Sequence, residues 1–210
     1  MVAIILSDCD LHGELPNSIS TLSELTVLRL DKNSLFGSLP AAWASLAKLL
    51  ALDLSYNSLT GPLPAAWASL VNLVSLILSS NSLTGPLPAA WAQLKRMEVI
   101  FLDDNMLSGT LPVEWAAWVN VQKMDFGVGE FSYGSSQGIV GTLPSAYGAL
   151  SNLNELSLIS TNLTGIVPES HKTLCAHCEI DLGDVYHHSL VTCPSWAGTC
   201  SQTFTCGRGI

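Results

Sequence analysis

Leucines recur along this chain with a spacing of 24 residues, and within each repeat they alternate with small or polar residues. The clearest copy is Leu46–Ser69 (LAKLLALDLSYNSLTGPLPAAWAS), which Leu70–Gln93 (LVNLVSLILSSNSLTGPLPAAWAQ) repeats almost unchanged. Leu52 and Leu54 alternate with smaller or polar neighbours, a period of two that predicts a short strand with one buried face. One such strand cannot bury its apolar face alone, so the copies are predicted to stack as successive coils.

The rest of each repeat predicts two turns and a short helical segment. Asn57 follows the strand, and its amide can pair with backbone groups that would cost ~1–3 kcal/mol each if buried without a partner. Gly61 and Pro62 favour a second turn. Ala65–Trp67 predicts a compact helical turn on the convex side. Trp67 recurs once per coil, and we interpret the Trp series as a packing spine, with a ligand site as the alternative.

The spacing L-x-x-L-x-L-x-x-N-x-L resembles the leucine-rich repeat pattern, and it divides the chain into two parts. Residues 1–170 are the predicted repeat array, and residues 171–210, which lose the period, are a predicted Cys-rich C-terminal cap. The predicted fold class is an α/β solenoid. It is a right-handed leucine-rich repeat superhelix with a parallel β-sheet on the concave face and short helical or 3-10 turns on the convex face. The array divides into a partial coil, regular coils, an insert-bearing coil and a last coil: 1–21, 22–117, 118–149 and 150–170.

The first residues are in register with the later strands. MVAIIL therefore predicts a strand and not a signal peptide, since it also lacks a basic lead and a cleavage site. An array that starts within a coil has no polar N-terminal cap, so we expect the chain to be a fragment or this edge to be covered. Cys9 occupies the Asn position of its coil and is predicted to be a buried free thiol.

Cysteines are concentrated in the predicted cap. A dense cysteine region after the last repeat indicates disulfide bonds that seal the core, and hence an oxidising, extracellular compartment. The pairing stays open. A zinc site that uses the C-x-x-C motif and the nearby histidines is the alternative, although the spacing matches no common zinc finger. The candidate disulfide cysteines are Cys175, Cys178, Cys193, Cys200 and Cys206.

The charge and the histidines limit the classes of function. The 210 residues carry a formal net charge of −9, which argues against binding to nucleic acids or anionic membranes. No long apolar run lies outside the repeats, so no membrane insertion is predicted. We predict no enzyme, no catalytic residues, no metal and no cofactor, because no histidine belongs to a recognisable catalytic or phosphate-binding motif. The five histidines are His12, His171, His177, His187 and His188.

The outward-facing strand positions predict a binding surface on the concave face, where solenoids commonly bind proteins. Its centre combines aromatic and aliphatic side chains with acidic ones, as protein interfaces do. The alternative is the ordinary exposure of some apolar residues on a sheet. The candidate partner-binding residues here are Asp53, Tyr56, Ile77, Phe101, Asp103, Asp104 and Asp125.

An insert at Gly127–Gln137 breaks the repeat and carries two further candidates for partner binding, Phe131 and Tyr133. Inserts in repeat proteins map to loops on one face, which is often the binding face, although a neutral loop extension is the alternative. Asn162 begins the only N-glycosylation sequon, and it is a glycosylation candidate because Thr161 occupies the Asn position of that coil.

The 24-residue unit is similar to the plant-type leucine-rich repeat, and its tryptophans make the resemblance more particular. The LPxxW motif and the last coil before the cysteine region resemble the promastigote surface antigen family of trypanosomatid parasites. That resemblance implies a surface-anchored or released glycoprotein that contacts proteins, including host cell-surface and complement proteins. The segments that carry it are Leu39–Trp43, Leu63–Trp67, Leu87–Trp91, Gly109–Trp115 and Asn152–Ser170.

The sequence therefore predicts a non-enzymatic, extracellular or cell-surface module that contacts a protein partner with its concave face. A plant-type receptor ectodomain or inhibitor-like protein is the alternative in the same class. A surface-structural or ice-binding solenoid is the alternative of another class, because hydroxyl side chains recur once per coil. That row comprises Thr60, Thr84, Ser108, Thr142 and Thr164.

Overall fold

The computed structural model describes residues 2–127, 137–172, 179–181, 190–192 and 203–205. Successive coils stack side by side, and each regular coil contributes one strand to each of two sheets and one 3-10 helix between them. The predicted solenoid is confirmed.

The concave sheet has nine strands, which follow one another in chain order across the sheet. All neighbouring pairs are parallel except the last, β15 with β17, which is antiparallel. Residues Val2–Ile5 of the N-terminal segment form β1, as their register with the later strands predicts. The strands are β1 (Val2–Ile5), β3 (Leu25–Arg29), β5 (Ala51–Asp53), β7 (Ser75–Ile77), β9 (Val99–Phe101), β11 (Lys123–Asp125), β13 (Glu155–Ser157), β15 (Glu179–Asp181) and β17 (Thr203–Thr205).

A second parallel sheet of eight strands runs along the solenoid where the sequence indicates only a turn and a short extended segment. The Gly in each of its regular strands has a positive φ, such as 78° at Gly61, a conformation that costs glycine little. The strands are β2 (His12–Glu14), β4 (Ser34–Ser38), β6 (Ser58–Pro62), β8 (Ser82–Pro86), β10 (Met106–Thr110), β12 (Gln137–Gly141), β14 (Thr161–Ile166) and β16 (Leu190–Thr192).

Short 3-10 helices close each coil on the convex side. Each of the seven helices in the described residues directly follows a proline. The prolines before η1 to η6 are in extended conformation, as expected of a residue whose φ is fixed. The helices are η1 (Asn17–Thr21), η2 (Ala41–Ser45), η3 (Ala65–Ser69), η4 (Ala89–Gln93), η5 (Val113–Ala117), η6 (Ser145–Ala149) and η7 (Glu169–Lys172).

The leucines of the concave strands form the core between the two sheets and the helices. Leu52, Leu76 and Ile100 occupy one position of successive coils and are at most 1% exposed. Their strand neighbours Asp53, Ile77 and Phe101 are only half-buried. The alternation predicted from the sequence is therefore confirmed, and it leaves the outward residues accessible.

An asparagine ladder links each coil to its neighbours. The Asn57 amide donates to the backbone oxygens of Leu30, Leu54 and Ser55 at 3.0 to 3.1 Å. Its side-chain oxygen accepts a hydrogen bond from the Leu35 backbone N–H at 3.0 Å. The same pattern recurs at Asn33, Asn81 and Asn105, so one side chain per coil pairs backbone groups of two coils.

The tryptophans form a buried stack on the convex side. Trp43, Trp67, Trp91 and Trp115 have ring centroids 6.3 Å apart and interplanar angles of 2° to 8°. Each ring is fully buried, and each indole N–H donates to the carbonyl of a proline in the preceding coil at 3.0 to 3.1 Å. The interpretation of the series as a packing spine is confirmed.

Trp118 stacks on Trp115 at 4.3 Å between ring centroids, and two other residue types occupy the Trp position in the two coils that follow. Tyr147 is buried at the next position, and its hydroxyl donates to the carbonyl of Pro112 at 3.0 Å, as the indoles do to other prolines. His171 follows, also fully buried, but its Nε2 finds no hydrogen-bond partner among the described residues. Burial lowers the pKa of His171 to about 4, since the charged form is poorly solvated there.

We expect acid to destabilise the last described coil through His171. The pKa of His171 in the folded chain is below its ordinary value of about 6.5. The contribution of neutral His171 to the stability of the fold is therefore complete above about pH 6.5. The contribution is lost as the pH falls towards 4, because protonation then favours the unfolded chain. The melting temperature of His171→Phe should therefore fall less between about pH 7 and pH 4 than that of the wild type. His12 is exposed, so His12→Phe is the control. If both variants change the pH dependence of the melting temperature equally, the acid sensitivity does not come from His171.

Two sequence-based expectations about side chains are wrong. Cys9 is exposed and not buried: it lies in the first coil, and the described residues leave its side chain accessible. The hydroxyl row is interrupted, since Val140 occupies the position that Ser108 has in the previous coil. Thr142 instead lies beside Gly165, as Thr110 lies beside Gly141 and Pro86 beside Gly109, so Thr142 belongs to a different column.

Candidate functional site

The strand register brings the outward residues of successive coils into columns on the concave sheet. One column runs through the middle of the face and contains four of the predicted partner-binding residues. Its members, each paired with the next, are Ile5, Arg29, Asp53, Ile77, Phe101, Asp125 and Ser157. The register extends the column to Asp181, which the sequence did not identify because the repeat pattern ends before it.

The centre of this column is apolar. Ile77 and Phe101 are paired on neighbouring strands, and both are half-buried. Tyr56 lies in the turn between β5 and β6 with φ of 54°, in the left-handed region, and it is 57% exposed. The face therefore offers a shallow apolar centre that water still reaches.

The carboxylates of the face are held by short-range hydrogen bonds. Asp53 accepts from the Ser55 hydroxyl at 2.7 Å, and Asp103 accepts from the hydroxyl of Ser79 in the preceding coil. Asp125 accepts from the backbone N–H of Gly127 at 2.8 Å. A Cβ at Gly127 would lie 2.9 Å from the Ser157 hydroxyl and 3.2 Å from the Asp125 carboxylate, so only glycine fits beside them.

Burial and like charges alter the protonation of two of these carboxylates. Burial raises the pKa of Asp125 to about 6, while its hydrogen bonds from Ser157 and Gly127 lower it, and the charges of Asp103 and Glu155 raise it further. Burial also raises the pKa of Asp103, against the hydrogen bond from Ser79, and the charge of Asp104 acts in the same direction as burial. Asp125 is thus poised to change its charge slightly below neutral pH.

Neither Asp103 nor Asp125 has a cationic partner within the part of the chain that the structure describes. The ion pairs found there join Lys48 with Glu24, Lys123 with Glu155, and Lys172 with Glu169. Only the Lys123–Glu155 pair lies on the concave sheet, with 2.7 Å between the ammonium and the carboxylate.

A second column on the same face was missed by sequence reasoning. It lies two residues before the first column, and the same alternation in period two could have identified it. Val99 is half-buried beside the apolar centre, and the Lys123–Glu155 pair belongs to this column. Its members are Val27, Ala51, Ser75, Val99, Lys123 and Glu155.

Several predicted residues lie outside the described residues. They are the insert aromatics Phe131 and Tyr133 and the cysteines Cys175, Cys178, Cys193, Cys200 and Cys206. Within the described ranges, no group of three or more His, Cys, Asp or Glu side chains is arranged to hold a metal ion. No helix there has the length and apolar character needed to cross a membrane. Asn162 is described and exposed.

The arrangement of the concave face suits non-covalent binding. It combines half-exposed apolar side chains with carboxylates fixed in place by hydroxyl and backbone donors. Such groups offer a partner both apolar contact and charge-assisted hydrogen bonds.

Comparison with known proteins gives one family match and many similar solved structures. The leucine rich repeat family matches residues 23–83. A TDR receptor is 30% identical, with a TM-score of 0.77 over 87% of this chain and 29% of that one. The BIR3–SERK2 complex from Arabidopsis thaliana is 38% identical, with a TM-score of 0.52 over 54% of this chain and 61% of that one. The BIR2 ectodomain from Arabidopsis thaliana is 32% identical, with a TM-score of 0.52 over 63% of this chain and 71% of that one.

No curated protein matches the chain. The chain spans less than two thirds of the first two of these structures, 29% of the TDR receptor and 61% of the matched chain in the BIR3–SERK2 complex. The repeat match, the stacked parallel strands and the likeness to the BIR2 ectodomain all indicate a leucine-rich repeat solenoid. The chain belongs to the leucine-rich repeat proteins.

Proposed function

We propose that this chain is a non-enzymatic, extracellular or cell-surface module that binds a protein partner with its concave face. The observation that carries the proposal is the apolar pair of Ile77 and Phe101, half-exposed at the centre of the sheet and bordered by carboxylates. An apolar centre within a polar surround is the usual anatomy of a protein interface.

The size of the face favours a protein over a small metabolite. Neighbouring strands lie ~4.8 Å apart, so seven coils offer a surface about 30 Å long. Small-molecule sites are instead concave cavities that bury most of the ligand. An extended or folded protein segment is the class of ligand that would cover a surface of this length and shallow relief.

The solved structures support the same class of function. The BIR3–SERK2 structure is of a protein complex, and the BIR2 structure is of an ectodomain. We extend both properties, a protein partner and an extracellular location, to this chain. A plant-type receptor ectodomain or inhibitor is the related alternative.

Within this class we propose a surface-antigen-like glycoprotein, as the resemblance of the LPxxW repeats to the trypanosomatid family suggests. Its partner would then be a host cell-surface or complement protein. The exposure of Asn162 is compatible with a glycan there, and the cap cysteines would form disulfides in an extracellular compartment. Mass spectrometry of the secreted protein before and after reduction and glycosidase treatment tests both modifications.

Replacing Phe101 with Asp should weaken partner capture at least about tenfold, as expected when a central apolar contact of an interface is lost. The side chain is half-buried at the surface of the sheet, so the melting temperature should stay close to that of the wild type. Capture is measured with the immobilised protein and two partner sources: the cell-surface fraction of the source organism, and host serum and cell-surface proteins.

Val119→Asp is the matched control for this substitution. Val119 is 57% exposed and follows the convex helix η5, so the variant adds the same charge away from the concave face. It should capture the partner as the wild type does. Undiminished capture by Phe101→Asp, or an equal loss in both variants, would refute the concave face as the binding surface.

A further inference from the structure

We propose that the partner segment that lies on the concave face is basic, an extended stretch with Lys or Arg beside an apolar residue. This inference rests on the proposed function and adds the chemistry of the partner. The distribution of charge on the face, the lack of a cationic partner for Asp103 and Asp125 among the described residues, and the spacing of the strands support it.

The charges of the concave face are unevenly distributed along the solenoid. In the N-terminal coils the cations Arg29 and Lys32 accompany Asp8, Asp31 and Asp53. Beyond Phe101, Asp103 and Asp125 have no cationic partner among the described residues, since Lys123 is already paired with Glu155. The neighbouring charge of Asp104 also acts on Asp103. The C-terminal half of the face is therefore acidic, in a chain whose net charge is −9.

The hydrogen bonds of Asp103 and Asp125 hold these carboxylates without neutralising them. Ser79 and Ser157 donate hydroxyl groups, and Gly127 donates a backbone N–H, so no donor carries a charge. Both carboxylates remain half-exposed. Each carboxylate oxygen can accept further hydrogen bonds. A guanidinium or ammonium group supplies both the donors for these bonds and the positive charge that balances the carboxylate.

The spacing of the strands matches an extended chain. The apolar centre at Ile77 and Phe101 lies on β7 and β9, and Asp125 lies on β11, the next strand. Strands lie ~4.8 Å apart, and an extended chain that crosses them advances ~3.3 Å per residue. If the apolar residue of the partner lies between β7 and β9, the second or third residue after it therefore lies over β11, in the acidic half of the face. The uneven charge also fixes its orientation, with the basic end over β11 and β13.

Binding of a cation here is linked to proton release. Asp125 is faced by Asp103 from the neighbouring coil, by Glu155 and Ser157 of β13, and by Lys123 of its own strand. A bound Lys or Arg favours the ionised carboxylate, so affinity should fall as the pH is lowered from about 7 to about 5. It should also fall with added salt, as for any partly exposed charge pair.

A selection from random displayed peptides of about ten residues tests the proposal, since that length crosses a face of about 30 Å. The selection is run on the wild type, on the Asp103→Asn/Asp125→Asn variant and on the Glu114→Gln control. Asn keeps the shape and the side-chain oxygen of Asp. Glu114 is exposed on η5, so its substitution removes a charge away from the face.

Peptides selected on the wild type should be enriched in Lys and Arg beside an apolar residue. They should bind the double Asn variant roughly tenfold more weakly, as expected for the loss of two charge-assisted contacts. They should bind Glu114→Gln unchanged, and their affinity for the wild type should fall at low pH. Selected peptides without basic enrichment, or with unchanged affinity for the double variant, would overturn the basic partner.

Phe101→Asp separates this outcome from the fate of the proposed function. If the selected peptides do not bind Phe101→Asp but show no basic preference, the concave face is still the binding surface and only the basic partner is contradicted. If the peptides bind Phe101→Asp as well as they bind the wild type, both the concave binding surface and the basic partner are contradicted. A selection that returns no peptide dependent on the concave face also counts against both.

Discussion

Replacing Trp91 with Ala should destabilise the chain by about 3–5 kcal/mol, the usual cost of removing a buried tryptophan. Its ring is fully buried between those of Trp67 and Trp115, 6.3 Å from each, and its indole N–H donates to the Pro64 carbonyl at 3.0 Å. The substitution leaves a cavity in the middle of the stack and removes that hydrogen bond. Urea denaturation of the wild type and the variant measures the loss.

Val71→Ala is the control for this substitution. Val71 is 50% exposed just after the convex helix η3, so its truncation leaves no cavity and should change the free energy of unfolding by less than about 1 kcal/mol. A loss of less than about 1 kcal/mol in Trp91→Ala would show that the stacked tryptophans do not hold adjacent coils together.

Replacing Asn105 with Ala should cost about 3 kcal/mol, although the change removes only a small side chain. The Asn105 amide donates to the carbonyls of Leu78, Leu102 and Asp103 at 3.0 to 3.1 Å, and its oxygen accepts from the Leu83 N–H at 3.0 Å. Asn105 is only 5% exposed, so water cannot easily replace these bonds. Each backbone group that loses its partner costs ~1–3 kcal/mol if it stays buried.

Asn120→Ala tests whether burial is the cause. Asn120 is exposed, and its amide makes a single hydrogen bond, to the Lys95 carbonyl at 3.0 Å. Water can satisfy that carbonyl after the substitution, so the loss of stability should be below about 1 kcal/mol. Equal losses in the two variants, measured by thermal and urea denaturation, would contradict the ladder as the cause.

The features that repeat in every coil were predictable from the sequence. A residue that recurs every 24 positions occupies the same place in each coil, so Asn57 and Trp67 were assigned their roles by period alone. The buried leucines followed from alternation in the same way. In a solenoid each coil contacts its neighbours, so a repeated position predicts a repeated contact.

Features that depend on a particular neighbour were not predictable. The second sheet includes Gly61 and Pro62, residue types that usually interrupt strands, and it forms because the same backbone shape is stacked coil upon coil. The exposure of Cys9 depends on which residues pack beside the first coil, and the repeat pattern does not specify them. The raised pKa of Asp125 depends on Asp103 and Glu155, which the register brings beside it from other coils.

The candidate site was only partly visible in the sequence. The column through Ile77 and Phe101 was identified from the alternation, while the neighbouring column with Val99 and the Lys123–Glu155 pair was overlooked. Its residues differ in type from coil to coil, so no motif draws attention to them. The register alone shows that they share the face.

Photo-crosslinking from defined positions tests most directly whether the concave face binds a partner. Benzoylphenylalanine is placed at Ile77, in the centre of the concave face, or at Val119 on the convex side. Each protein is irradiated with the cell-surface fraction of the source organism and with host serum and cell-surface proteins. We expect a protein adduct from Ile77 that Phe101→Asp abolishes, and none from Val119. An adduct that forms from Val119 and not from Ile77 would contradict the concave face as the binding surface.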